Sequence, residues 1–154
     1  ELQHPIDKFS KSLIVSKIEV LLNYCMRFYE RQFVTREDMN HDALARFERL
    51  LDDYLYSGTA ASIGIPTVKY FADKICLSHN YFGDLVKQET GKTAQEYIQL
   101  KMIAVAKERM LDPAGTIKQI AESLGFQHPQ HFVRFFKRQE GYTPKEFRNK
   151  MMAS

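Results

Sequence analysis

Long apolar runs are missing from this chain. None approaches the roughly 18–20 residues that a membrane-spanning helix needs, and no charged, apolar and small-residue signal segment opens it, so no membrane partner is expected. No segment alternates apolar and polar residues with period two over a useful length. That excludes a sheet and leaves an all-α chain, because apolar spacings of three and four dominate. A phosphate-cradling glycine loop and a nucleophile motif are both absent, and acidic pairs fall on helix surfaces without a pocket motif, so neither an enzyme nor a cofactor is expected. His128 and His131 stand three apart, but no cysteine or carboxylate completes a ligand set and Pro129 lies between them, so no metal is expected. Cysteine occurs only twice. Cys25 and Cys76 both fall within apolar helical patterns, which predicts buried free thiols and a reducing cytoplasm.

What is present suffices for a core, since 44% of the 154 residues are hydrophobic. The eight tyrosines and eleven phenylalanines lie mostly at core spacing, which makes base stacking on single strands the lesser use for them. The net charge is +3, but it is uneven. Residues 1–65 carry 8 Lys/Arg against 10 Asp/Glu, whereas residues 66–154 carry 14 against 9. The second half is therefore the one suited to face a polyanion. Residue 1 is Glu and helix-like sequence follows almost at once, as expected of a fragment of a longer protein.

From about Ser10 to Phe33, Ile14, Ile18, Leu21, Cys25 and Phe28 recur at spacings of 4, 3, 4 and 3, a heptad seam. Such a seam fits either a helix packed on its own domain or a homodimer coil through residues 10–33. The polar stretch Thr35 to Asn40 breaks the pattern. A second helix is predicted over His41–Tyr56 with Leu44, Phe47, Leu51, Tyr54 and Leu55 inward, Gly58 as its C-cap, and Ser57–Pro66 as a connection.

The remainder repeats itself. Thr67, Lys69, Ala72 and His79 return 49 residues later as Thr116, Lys118, Ala121 and His128, and Phe82, Lys87, Gly91, Thr93 and Glu96 return 50 residues later as Phe132, Lys137, Gly141, Thr143 and Glu146. Each copy reads as a short helix, a tight turn and a second helix. In the first, Val68–Ile75 turns Phe71, Ala72 and Ile75 inward, and Ser78 can cap the following helix. In the second, Ile117, Ile120, Ala121 and Leu124 make the supporting helix, Gly125 permits the turn, and Pro129 suits a first helical turn. His79 and His128 read as turn or backbone-facing residues. A longer helix over about 93–111 joins the copies, stopped by Pro113 and Gly115. At about 1.5 Å per residue it spans roughly 25–29 Å, enough to set two reading helices one DNA turn, about 34 Å, apart.

With Phe82, Leu85 and Val86 inward, Asn80, Gly83, Asp84 and Lys87 lie outward; with Phe132, Phe135 and Phe136 inward, Gln130, His131, Arg134 and Lys137 lie outward. Gln bonds adenine and Arg bonds guanine bidentately, so these are apt groups for reading base edges. An ordinary polar helix face is the plain alternative for either helix alone. A different class of function is a protein-interaction module, which would keep the fold as scaffold and dock partners through the acidic N-terminal helices.

These residues also carry a resemblance. SHNYFGDLVKQETG from Ser78 to Gly91, Tyr97-Ile98, Ala106-Lys107, IAESLGF from Ile120 to Phe126, FVRFFK from Phe132 to Lys137, GYTP from Gly141 to Pro144 and Phe147-Arg148 together resemble the DNA-binding domain of the AraC/XylS family of bacterial transcription regulators. The resemblance covers about residues 42–149. It implies two helix-turn-helix modules of homeodomain-like type joined by a long helix, binding double-stranded DNA and regulating transcription, commonly as a dimer. RNA polymerase is a further partner it admits, and a small-molecule effector would act only through a separate N-terminal domain outside this chain.

The organisation implied is a linker or dimerisation helix over 1–38 and a DNA-binding domain over 39–150. Module one then occupies about 66–92, the connecting helix 93–111 and module two 116–149. Base-reading positions fall on Asn80, Gly83 and Asp84 in the first module and on Pro129, Gln130, His131 and Arg134 in the second. Phosphate contacts are expected from Lys87, Lys137, Arg138 and the amides around Thr143. Three departures stand out. Asp84 repels phosphates, Gly83 offers no side chain, and Met102 holds a place that is often Arg in the family, which leaves Lys101 as the nearest positive charge.

Overall fold

Apolar residues three and four apart predict helices, and helices are what form. The computed structural model describes residues 8–152, apart from the side chains of 8–10 and 31–37. Glu1, and with it the reading of how the chain begins, lies outside the described residues, as do the side chains at both ends of the expected 10–33 seam. The elements are α1 (Lys8–Tyr56), α2 (Thr59–Ile63), α3 (Val68–Lys74), α4 (His79–Thr90), α5 (Ala94–Met110), α6 (Ile117–Ser123), α7 (Pro129–Glu140) and α8 (Pro144–Met152). The chain divides into two units, Glu1–His41 and Asp42–Ser154.

In the first unit the described seam residues are open to solvent. Ile14, Ile18, Leu21 and Phe28 are 49, 50, 62 and 63% exposed. Cys25 is exposed as well, and so is Cys76 in the second unit. Both thiols were expected to be buried, and the correction has a plain cause. Among the described residues the apolar seam around Cys25 is left open to solvent, and Cys76 falls in a turn rather than in a helix. Exposed thiols at these two places do not point to a reducing compartment. Among the described residues no helix is long and apolar enough to cross a membrane.

The break expected at Thr35–Asn40 is not a break in the backbone. Helix α1 runs through it. That stretch contains no Gly or Pro, so it interrupts the apolar stripe without removing a helical hydrogen bond. Gly58 takes φ 86 two residues past α1, directly before α2, a helix that the expected Ser57–Pro66 connection conceals.

The second unit is built on aromatics. Phe47 of α1 meets Phe71 of α3 and Phe82 of α4 edge-on, with ring centroids 5.3 and 5.0 Å apart. All three are fully buried. Such pairs contribute about 0.5–1.5 kcal/mol each beyond the area they bury. Around α7, Phe132 and Phe136 are buried, with Phe126 against Phe132 at 5.5 Å and Phe147 of α8 against Phe136 at 5.8 Å. Helix α5 packs against α3, α4 and α6 at once. That explains why Ile98, Met102, Ile103, Val105, Ala106 and Met110 are buried on several of its sides. Its 17 residues make it about 25 Å long.

Candidate nucleic-acid interface

Each reading helix starts from a turn that its sequence dictates. In module one, Leu77 donates its N–H to the Ala72 carbonyl at 3.0 Å; in module two, Phe126 does the same to Ala121 at 3.0 Å. The residues just before them, Cys76 and Gly125, are left-handed, with φ 60 and 89. The copies then differ by Gln127, inserted before the next helix. Ser78 caps α4, accepting the Tyr81 N–H at 3.3 Å, while His128 precedes α7 without a side-chain cap. Pro129 at the first position of α7 loses no amide bond there. His79 and His128 are therefore not equivalent, contrary to the sequence alignment: His79 is the first residue inside α4 and His128 stands just outside α7.

From the caps onward the offset is 50, and the outer faces match. Asn80, Asp84 and Lys87 are exposed on α4, as are Gln130, His131, Arg134, Lys137 and Arg138 on α7. Phe82, Leu85 and Val86, and Phe132 and Phe136, are buried beneath them. Gln130 and Arg134 thus point outward. Gly83 is half-buried, and a Cβ there would meet nothing within 4 Å. Pro129 is also half-buried, and the His128 and His131 rings meet edge-on at 5.4 Å. Gln88, exposed and equivalent to Arg138, completes the α4 face. Sequence reading passed over it, although the 50-residue offset marks its place.

The two faces differ in charge. Asn80, Asp84, Lys87 and Gln88 balance to zero, whereas Gln130, Arg134, Lys137 and Arg138 present three positive groups. Among the described residues Arg134 and Arg138 make no ion pair. Lys101, by contrast, is held 2.7 Å from Asp52, and Met102 is 1% exposed in the core, so this stretch of α5 offers no free cation.

Both helices that follow the reading helices open on the same reciprocal cap. Thr93 donates its N–H to Glu96 Oε2 at 2.8 Å, and Thr143 donates to Glu146 Oε2 at 2.6 Å. The Thr93 and Thr143 amides, then their hydroxyls, hold both carboxyls below the ordinary carboxylate range. This changes the reading of Thr143. Its own amide is already taken by a carboxylate, and Pro144 has none, so the N–H groups expected to meet phosphate there are fewer than the sequence implied.

Comparison with known proteins agrees with this geometry. A family model described as a helix-turn-helix domain matches residues 71–150. The chain is 34% identical over 80 residues to the transcriptional regulatory protein YesN of Bacillus subtilis, covering 51% of this chain and 22% of that longer protein. The C-terminal domain of the two-component response regulator yesN from Fusobacterium nucleatum superposes with a TM-score of 0.55 at 27% identity, covering 66% of this chain and 96% of that one. The DNA-binding domain of AdpA, solved with a target DNA, shares the fold at a TM-score of 0.56 and 18% identity, over 70% of this chain and 94% of that one. The chain belongs to the AraC-type helix-turn-helix family of transcription regulators.

Proposed function

We propose that this chain binds double-stranded DNA sequence-specifically and regulates transcription, with α4 and α7 entering successive major grooves. The observation that carries this is the pair of equivalent exposed faces, Asn80/Asp84/Lys87/Gln88 and Gln130/Arg134/Lys137/Arg138, each backed by buried aromatic or aliphatic residues. Module two supplies most of the attraction and the base reading. Arg134 suits guanine O6 and N7, Gln130 suits adenine N6 and N7, and Lys137 and Arg138 suit phosphates. His131 and Pro129 flank the same groove. Module one reads less, since Gly83 has no side chain and Asp84 accepts only from a donor such as cytosine N4; it mainly fixes register, with Asn80 and Lys87. Selection from random duplexes tests the reading. A bipartite motif bound with a steep loss on added salt supports it, and no enriched motif returns the chain to the class of interaction modules.

Helix 11–30 supports pairing with a second copy. In the heptad frame of its seam, Val15, Leu22 and Tyr29 flank the core positions and widen the apolar stripe, and Val15, Leu22 and Tyr29 are 54, 57 and 64% exposed. A second copy laid along this stripe covers it and doubles the bipartite site. Sedimentation decides the point: the chain sediments as a dimer and Leu21→Lys as a monomer, whereas equal monomer masses at high concentration remove the seam as a contact.

A further inference from the structure

Helix α5 is not the only tie between the modules. The stretch of α1 that buries Phe47 against module one ends at Tyr56, and its last turn carries no basic residue. The Leu55 carbonyl is one of the terminal acceptors that a helix cannot satisfy itself. Arg109 of α5 fills that role, donating from Nη2 to Leu55 O at 2.5 Å and from Nη1 to Ser123 Oγ of α6 at 2.6 Å. Ser123 in turn donates to Ile120 O at 2.8 Å. The guanidinium lies over the Tyr56 ring, 5.9 Å from its centre, and Tyr56 Oη donates to Glu108 Oε2 at 2.5 Å. One planar fork thus joins α1, α5 and α6.

A second contact lies nearby. Tyr54 Oη holds the Gly64 carbonyl at 2.9 Å, and a Cβ on Gly125 would sit 2.3 Å from the Gly64 carbonyl carbon. The backbone after α2 is therefore seated on the turn of module two, and α2 packs on α6.

We propose that Arg109 is a positioning residue: by clamping α1 and α6 to α5 it fixes the angle between the two reading helices, and so the spacing of half-sites the protein accepts. The consequence for DNA rests on the two-groove reading above; the consequence for the protein does not. Lysine cannot reproduce the fork, because an ammonium lacks the fixed pair of donors that serves two acceptors at once.

The test has two arms. Spin labels at Q88C and R138C, in a chain carrying C25S and C76S, report the distance between α4 and α7 without DNA. One narrow distance is expected with Arg109, a broad distribution with Arg109→Met, and a partial return with Arg109→Lys; Ser123→Ala, a milder change, broadens it less. An unchanged narrow distance in Arg109→Met overturns the proposal. On duplexes carrying the selected motif with one or two base pairs added or removed between half-sites, Arg109→Met should lose roughly tenfold or more of the preference for the native spacing, the size of a lost charged hydrogen bond. A fall in melting temperature with that preference intact also overturns it. If the unaltered chain selects no motif, the DNA reading fails, and the distance measurement still decides what Arg109 does.

Discussion

Cys76 and Gly125 hold the same place in two copies of one turn, both with positive φ, yet only Gly125 has the backbone of Gly64 pressed against it. The left-handed conformation costs an L-residue about 1–2 kcal/mol that glycine avoids. Cys76→Gly should therefore stabilise the chain by about 1 kcal/mol in urea unfolding. Gly125→Ala should destabilise it by more than 2 kcal/mol, through strain and overlap together. Equal effects at the two positions would mean that the second turn is not seated on Gly64.

Within α4, Gly83 lies in a helix interior with open space where a Cβ would be. Gly83→Ala should add about 1 kcal/mol of stability. On the reading given to α4 it also projects a methyl toward the groove, so base preference beside the Asn80 contact should shift. A gain in stability with no change in preference would take Gly83 off the DNA-facing surface.

Opposite charges at equivalent places give a paired test. Asp84 and Arg134 occupy corresponding positions on α4 and α7. Asp84→Asn should raise affinity for all duplexes severalfold, because it removes one repulsion near phosphates. Arg134→Ala should relax preference at one base position, at a cost of about 1–3 kcal/mol. Lys137→Ala should weaken all sequences together and lower the salt slope by about one. Identical, sequence-blind losses for Arg134→Ala and Lys137→Ala would show that the roles are misassigned.

Acid and alkali should act on different groups. Glu96 and Glu146 are held below their ordinary value of 4.5, chiefly by the Thr93 and Thr143 amides. Their stabilising effect is present above that value and is lost as pH falls through the lowered folded value. Tyr97 is pushed up to about 12, first by burial and then by its hydrogen bond to Glu48, so its contribution is whole below 10 and fades as pH rises from 10 toward 12. Glu96→Gln and Glu146→Gln should flatten the acid limb of thermal stability, and Tyr97→Phe the alkaline limb. Unchanged limbs would rule these groups out as the titrating ones.

Thiol reactivity separates monomer from dimer. Both cysteines are exposed in the single chain, and Cys25 lies in the seam proposed to pair. With an aromatic disulfide reagent, two thiols should react quickly at low protein concentration, and Cys25 should slow at high concentration while Cys76 does not. Two fast thiols at every concentration would contradict a paired seam.

The sequence made the local features legible and left the long-range ones hidden. Apolar periodicity located the inner faces of α3, α4, α6 and α7, the Ser78 cap located the start of α4 and Pro129 that of α7, because these signals lie within a turn or two of the residue concerned. It misplaced Cys25, because an apolar stripe shows which side could be buried and not whether anything covers it, and Cys76, because α3 ends at Lys74 and leaves that residue in the turn. The polar stretch Thr35–Asn40 interrupts the apolar stripe without stopping the backbone, so one helix reads in sequence as two. The Arg109 junction joins residues 14 and 54 positions apart, and the Gly64–Gly125 contact joins residues 61 apart; no local pattern encodes either. On the candidate interface, the exposed polar residues of α7 were readable one by one, and Gln88 was readable too, since the 50-residue offset that pairs Lys87 with Lys137 also pairs it with Arg138.

Methylation interference on the selected duplex goes straight to the claim that α4 and α7 enter neighbouring major grooves. The expected pattern is two clusters of groove-facing guanines on one side of the helix, about 10–11 base pairs apart, with the cluster assigned to α7 lost in Arg134→Ala. A single cluster, or two on opposite sides of the duplex, would contradict it.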